Sequence, residues 1–471
     1  MRARILPLLR APRTAGAALL LLATTSLACG EITVPNPNNP SVGDVEAAPT
    51  ATSVAALATG LLRGTRTNVA ESVRWLGAFG REGYPMSVTG ASLPGSIRDP
   101  LNGNGFPGNV LYADPYRNIR SANILLEAVD KVPTYTPAQK EAVRGFAKTI
   151  KAYDFLQVIV TRDRFGAPIE VGADPTGALA PIAPRAEVYA YIARLLDEAR
   201  THLRAGGTSF PFPLTSGLAG LNTPATFVRL NRALRARAAV YTDDWQAALA
   251  ALGESFLDTG APLASGAYHV FTTNSGDVTN PNFRPDLLFA HRRLRTEAQR
   301  RADGTLDLRA QTKLTTVPAF TVQGITSDVQ FTMYNSATAP IPWVKNEELV
   351  LLRAEANLGL GNRAAALRDI NVVRVNAGGL PALPDDFAGD LLGELLYNKR
   401  YSLVWEGGHT WIDMRHYGRL DQIPVTAADP RLFDAMPIPV AECQPRTPQP
   451  TGCGIVTGIT PTPRAAGAFE P

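Results

Sequence analysis

Two carboxylate-x-x-histidine pairs, Glu406-x-x-His409 and Asp413-x-x-His416, fall inside the run LVWEGGHTWIDMRHYG (403–418). The same run holds Trp405, Trp411 and Arg415, so two of the chain's five tryptophans and two of its five histidines are gathered there. A carboxylate and a histidine three residues apart share a helix face, which is how helical di-metal proteins ligate their ions. Those sites, however, take each pair from a separate helix and add two further carboxylates. Here both pairs lie on one segment, split by Gly407-Gly408. Gly-Gly ends a helix readily, so the run reads as a helix end, a turn and a short second helix. A structural role is therefore expected, with no metal and no cofactor. Glu406 near a helix C-terminus is opposed by the helix dipole and needs a cation, for which Arg400, Arg415 and Arg374 are the candidates. Trp405 and Trp411 are expected to bury their rings on either side of the turn.

Other reactive patterns are few. The sequence contains no Gly-x-Ser-x-Gly, no His-Glu-x-x-His and no glycine-rich phosphate loop after a strand. A pair of carboxylates for glycoside hydrolysis leaves no signature in sequence, so that chemistry stays open at this level. DGTLDLRAQ, with Asp303, Asp307 and Arg309, lacks the ligand spacing of a calcium loop and reads as a solvated turn.

The elements that position these residues are mostly helical. Val54, Leu57 and Leu61 mark one helix, Ile119, Ala122, Leu126 and Val129 a second, and Val143, Phe146, Ile150 and Tyr153 a third. The same periodicity predicts helices over 185–204, 224–241, 244–256, 346–359, 362–377 and 389–406. Two helix pairs match without a gap: LRARAAVYTDDWQAAL from Leu234 and LRAEANLGLGNRAAAL from Leu352. In each, a small-residue face meets a short polar turn before the second helix, the pattern of stacked tetratricopeptide hairpins. Residues 77–113 and 257–345 are instead rich in Gly, Pro, Asn and Thr. Such long stretches of low periodicity in a helical protein are usually functional loops or disorder, and these are expected to pack on one side of the scaffold.

The N-terminus has the layout of an export signal. Arg2, Arg4, Arg10 and Arg13 precede an apolar stretch from Ala15 to Leu27 that is too short to span a bilayer. Cleavage before Cys29 would make it the lipidated first residue of a lipoprotein, with residues 1–28 as signal and 29–47, rich in Pro, Asn and Gly, as a tether. Of three cysteines this leaves Cys443 and Cys453, able to close one disulfide in an oxidising compartment, with two free thiols as the alternative. The formal charge of +4 is carried by the four signal arginines, because residues 1–28 contain no acid. The remaining chain is near neutral, which removes the electrostatic case for nucleic-acid binding.

Taken in order, several segments resemble the SusD/RagB family of outer-membrane nutrient-binding lipoproteins. They are YRNIRSANILLEAVD from Tyr116; GFAKTIKAYDFLQVIVTRDRFGAPI with its Phe165-Gly166-x-Pro168 turn; and NEELVLLRAEANLGLGNRAAALRDINVVRVNAGG, with Ala354-Glu355-Ala356 and Ile370-Asn371-x-x-Arg374. NKRYSLVWEGGHTWIDMRHYGRL (Arg400, Glu406, Gly407, Trp411, Asp413, Arg415) and MPIPVAEC close the series. Asn398 and Thr410 depart from the family pattern, as does the longer spacing from Glu406 to Asp413. The resemblance implies a mainly α fold over 48–471, with tetratricopeptide-like hairpins carrying an irregular ligand-binding face. It implies a protein lipid-anchored to the outer membrane and facing the cell exterior. Such a protein would pass an oligosaccharide or peptide to a SusC-like TonB-dependent transporter. Sugar recognition uses flat rings for stacking and polar groups for hydroxyls. In the loop-rich zones Trp75, Tyr84, Phe106, Tyr334 and Trp343 are the candidate rings, with Arg81, Asn102 and Asn104 as polar partners. The competing reading is a secreted all-α glycan-active hydrolase or lyase.

Overall fold

The computed structural model describes residues 48–87, 97–104, 106–172, 177–284 and 287–459. The signal segment, Cys29 and the tether expected from the sequence lie outside the described residues.

Helices α1 (Ala51–Gly64), α2 (Val69–Phe79), α3 (Phe106–Val129), α4 (Pro137–Arg162), α5 (Arg185–Arg204), α6 (Pro224–Val240) and α7 (Trp245–Gly253) form the first part of the scaffold. They are followed by α8 (Asn346–Gly359), α9 (Arg363–Asn376), α10 (Leu391–Ser402) and α11 (His409–His416). Each start has a local cause. Thr50, Thr136 and Thr223 close capping boxes with Ser53, Gln139 and Thr226, and proline fills the first turn of α4 and α6. From α3 to α9 every helix packs on its neighbour in sequence, and α1 lies against α3. The two matching segments form the α6–α7 and α8–α9 hairpins, joined where α7 packs on α8. The Ala residues at the matching positions 236, 238, 354 and 356 are buried, so small side chains do allow the close approach. No described helix is long and apolar enough to cross a membrane.

The loop-rich segments hold more strand than their composition suggests. β1 (Gly83–Pro85), β6 (Leu288–Ala290), β7 (Leu314–Val322) and β8 (Ile325–Phe331) form one sheet in the order β1-β6-β8-β7. Smaller pairs join β2 (Leu101–Asn102) to β10 (Ile455–Val456), β3 (Ala167–Pro168) to β4 (Ile182–Ala183), and β5 (Gly266–His269) to β9 (Ile341–Lys345). The β7–β8 hairpin turns on Gln323 and Gly324, both at positive φ, as a two-residue hairpin loop requires. β1 pairs with β6 through Tyr84 opposite Phe289, so the segments around 83 and 288, some two hundred residues apart, meet in one sheet.

Three expectations need correction. α10 stops at Ser402 rather than near 406, because Trp405 (φ 58°) and Gly408 (φ 74°) take left-handed conformations. A Cβ on Gly408 would stand 2.1 Å from the Leu76 side chain, so only glycine fits that turn. Glu406 is answered by lysines: Lys345 Nζ is 2.8 Å away and Lys313 Nζ 3.7 Å. The candidate arginines are engaged elsewhere, Arg400 on Glu297, Arg374 on Glu394, and Arg415 on the Val160 and Asp434 carbonyls. Asp307 is buried and paired with Arg309 at 2.6 Å, whereas Asp303 alone occupies the exposed turn.

Candidate functional site

The four groups of the 403–418 run do not converge on one point. Asp413 and Glu355 share the fully buried Lys399 amine at 2.6 and 2.7 Å, and Tyr417 donates to Glu355. His416 contacts Asp243 at 3.1 Å, and burial holds the His409 imidazole neutral, with its pKa down at about 3. Among the described residues no group of three or more His, Cys, Asp or Glu is placed to hold a metal ion. The run is a brace: Trp405 stacks on Phe331, Trp411 packs on Phe79, and Glu82 accepts hydrogen bonds from the Trp405 and Thr410 amides. Two other signature residues brace the α9 end. Asn371 exchanges hydrogen bonds with the Leu383 backbone, and Arg374 donates to the Pro381 carbonyl. Cys443 and Cys453 are joined in a disulfide.

Most of the candidate ligand-binding residues lie inside. Trp75 is 3% exposed within the α2 core, and Tyr334 donates to the Trp405 carbonyl from a buried position. Arg81 and Tyr84 converge on Asp429 at 2.8 and 2.6 Å, fully buried, tying the start of β1 to the C-terminal segment. Their polar atoms are committed to the protein, so this placement suits packing rather than contact with a ligand. Asn102 and Asn104 share an exposed turn, in which Asn102 Oδ1 accepts from the Asn104 amide. Phe106 opens α3, and its side chain lies outside the described ones. Trp343, on β9, stacks on His269 at 4.9 Å, and its indole N–H has no partner among the described residues.

An exposed platform lies instead beside α2, in a segment whose individual residues the sequence did not single out. Arg66, Asn68, Glu71 and Arg74 follow helical spacing along the outer side of α2 and its entry turn. Arg66 binds the Val270 carbonyl and Asp277, and its guanidinium lies 5.8 Å from the Phe271 ring centre. Arg74 donates to Asn282 Oδ1 at 2.8 Å and to the Pro281 carbonyl, and pairs with Glu71 at 2.7 Å. These bonds pin the 270–284 loop and leave Phe283 and Val278 outward, 38% and 42% exposed. Burial, with Arg284 nearby, pulls the Arg74 pKa below its ordinary value. The exposed Phe283 ring can stack on a flat apolar face, with the exposed Arg284 next to it in sequence, whereas Arg66, Arg74, Asn280 and Asn282 spend their polar groups on holding the loop. The signal in sequence was slight: a lone phenylalanine in NPNFRPD.

Under this face lie two small cavities. One, of about 30 Å³, is bounded by the α1–α2 turn, the α3 kink at Leu111–Pro115, and Tyr153, Asp154 and Gln157 of α4. The other, of about 50 Å³, extends to Trp343, Glu406 and His409, and the two share Val69, Ser72, Tyr153 and Gln157. A benzene-sized cavity is about 150 Å³, so neither admits a sugar ring.

Neither models of protein families nor curated proteins give a match to this sequence. Solved structures do. A SusD superfamily protein from Bacteroides vulgatus ATCC 8482 superposes with a TM-score of 0.64 over 87% of this chain and 99% of its own, at 13% identity. The fold is that of the SusD-like proteins. A laminarin-binding SusD-like protein matches with a TM-score of 0.63, covering 85% of this chain and 99% of its own at 17% identity. NanU of B. fragilis matches with a TM-score of 0.62, covering 88% and 99% at 17% identity. Within this SusD-like fold, the hairpins form the scaffold and the α2 face with its 270–284 loop forms the candidate site.

Proposed function

We propose that this chain is a SusD/RagB-type surface lipoprotein. It captures an oligosaccharide on the α2–Phe283 face and delivers it to a SusC-like TonB-dependent outer-membrane transporter. The reading is carried by the SusD-like fold, which spans 85–88% of the chain and nearly all of each neighbour. It is supported by the exposed Phe283 ring on the 270–284 loop, which Arg66 and Arg74 fasten to the α2 face. Export, lipidation at Cys29 and tethering through 29–47 belong to the same proposal. In it residues 48–471 act as one binding domain, and catalysis has no part. Asn102 and Asn104 stay in the proposal as hydroxyl-binding groups on the neighbouring exposed turn.

The test is titration of the purified mature chain against a panel of oligosaccharides, with laminarin as first probe because a protein of the same fold binds it. Saturable binding without release of new reducing ends, weakened at least about tenfold by Phe283→Ala, is the expected result, since stacking on a ring dominates such sites. Release of reducing ends would favour the hydrolase or lyase reading. Binding unaffected by Phe283→Ala would move the site elsewhere. Co-purification of a β-barrel partner from outer membranes tests delivery.

A further inference from the structure

The cavity of about 30 Å³ beneath the site contains a carboxylate with no counter-charge. Asp154, on α4, is 3% exposed and lines that cavity. Its Oδ2 accepts one hydrogen bond, from Asn118 Nδ2 at 2.8 Å, and no described residue donates to its Oδ1. A buried carboxylate held by one neutral donor is costly unless something else neutralises it.

The surroundings select a positive occupant. Thr65, Asn68, Ser72, Asp114 and Gln157 bring further side-chain oxygens to the same wall, and among the described residues no Lys, Arg or His lines the cavity. Thr65 spends its proton on the Leu62 carbonyl, so its oxygen is left as an acceptor. Gly64 and Thr65 are the C-terminal end of α1, the negative end of a helix fourteen residues long. Pro115 lies in α3 beside the kink at Leu111, which loosens the helical backbone along the cavity wall. Asp114 is already engaged by Asn68 and Arg117 at the rim, which leaves Asp154 as the unmatched charge.

We propose that this cavity is a binding site for a hard, oxygen-liganded metal cation, with Asp154 as its anionic ligand. Hydroxyl, amide and carboxylate oxygens are the donors that calcium takes, supplemented by water, whereas soft metals take sulfur and imidazole. The volume suits an ion with one or two waters and excludes an organic ligand. Burial raises the Asp154 pKa well above the ordinary carboxylate range, so a proton and a cation compete for the same group. A bound cation would link the end of α1, the kink of α3 and α4 at the floor of the candidate site. The inference does not depend on what the outer face binds.

The experiment is calorimetric titration of the chelator-treated mature chain with calcium, magnesium, sodium and potassium chlorides, alongside Asp154→Asn and Gln157→Leu. Asp154→Asn keeps the side chain's shape and mimics its neutral form, and Gln157→Leu provides a second variant should the first not fold. One cation is expected to bind at a single site, with a calcium Kd on the order of 10⁻⁴–10⁻³ M, as for weak extracellular sites. Each variant should weaken it at least tenfold. The response to the four chlorides separates a divalent from a monovalent occupant. No binding of any of the four at millimolar concentration overturns the proposal, as does binding that neither variant changes.

Discussion

Glu406→Gln keeps the shape of the side chain in the 403–418 run and removes its charge. In the native protein two lysines, Lys313 and Lys345, face two carboxylates, Glu347 and Glu406, with side chains 17%, 8%, 9% and 9% exposed. Burial alone would lower the Lys345 pKa, but Glu406 and Glu347 hold it above its ordinary value. Lys313 goes the other way, lowered by burial and by the neighbouring Lys345. At an effective dielectric of about 20, unit charges at the 2.8 Å Lys345–Glu406 distance attract by about 6 kcal/mol. Several kcal/mol of that offsets the carboxylate's own desolvation, which glutamine does not incur, leaving a net loss of about 3 kcal/mol. The unfolding entropy of a chain this long is roughly 0.9 kcal/mol per kelvin, so the melting temperature should fall by about 3 °C. Differential scanning calorimetry with and without EDTA checks it. A Glu406→Gln protein melting within about 1 °C of wild type would refute the charge argument. If EDTA also destabilised the wild type and spared the variant, the Glu-x-x-His spacing would be metal chemistry after all. Adding Lys345→Met should recover part of the loss, because the amine left behind is then removed.

Further outcomes follow from the same structure. Burial holds His269 and His409 neutral at about 3 and His291 well below its ordinary value. Because these folded values lie below the unfolded one near 6.5, their contribution is complete above about pH 6.5 and is lost as pH falls towards 3. The slope is at most about 1.4 kcal/mol per pH unit per histidine. His409→Asn should lower proton uptake on unfolding at about pH 5.5 by about one proton, and unchanged uptake would show that His409 is already charged in the fold. Replacing Cys443 and Cys453 by serine opens a loop of ten residues' separation and should cost about 3 kcal/mol on chain-entropy grounds. Hydrogen exchange should also quicken at Val440, whose amide bonds to the Gly103 carbonyl beside the exposed Asn102–Asn104 turn. Equal urea midpoints with and without the disulfide would contradict this. Gly408→Ala should destabilise by at least about 2 kcal/mol from the left-handed backbone and the overlap with Leu76. A neutral result in urea unfolding would mean the turn can reshape.

What was legible in the sequence and what was not divide along a physical line. Helices whose apolar spacing repeats over four or more turns stand where periodicity put them: α5 spans Arg185–Arg204 and α8 Asn346–Gly359, each as expected. The two matched hairpins were readable because small residues and polar turns recur in register. Short elements were not. α2 offers eleven residues, too few for its period to stand out from the turn-rich sequence that follows. The loop-rich segments hid a sheet because β1 and β6 are three residues each and are stabilised by one another across the chain. The same limit decided the site. Tyr84 and Trp343 are rings in loop-rich sequence, and so is Phe283; nothing local separates them. Tyr84 goes inside because Asp429 waits there for its hydroxyl, and Trp343 because His269 and Tyr153 close over it. Phe283 stays out while Arg74 and Asn280 hold the backbone just before it, at Pro281 and Asn280, to the scaffold. Which aromatic faces solvent is thus set by partners far away in sequence, such as Asp429, His269 and Arg74, and not by the turn-rich composition that Tyr84, Trp343 and Phe283 share.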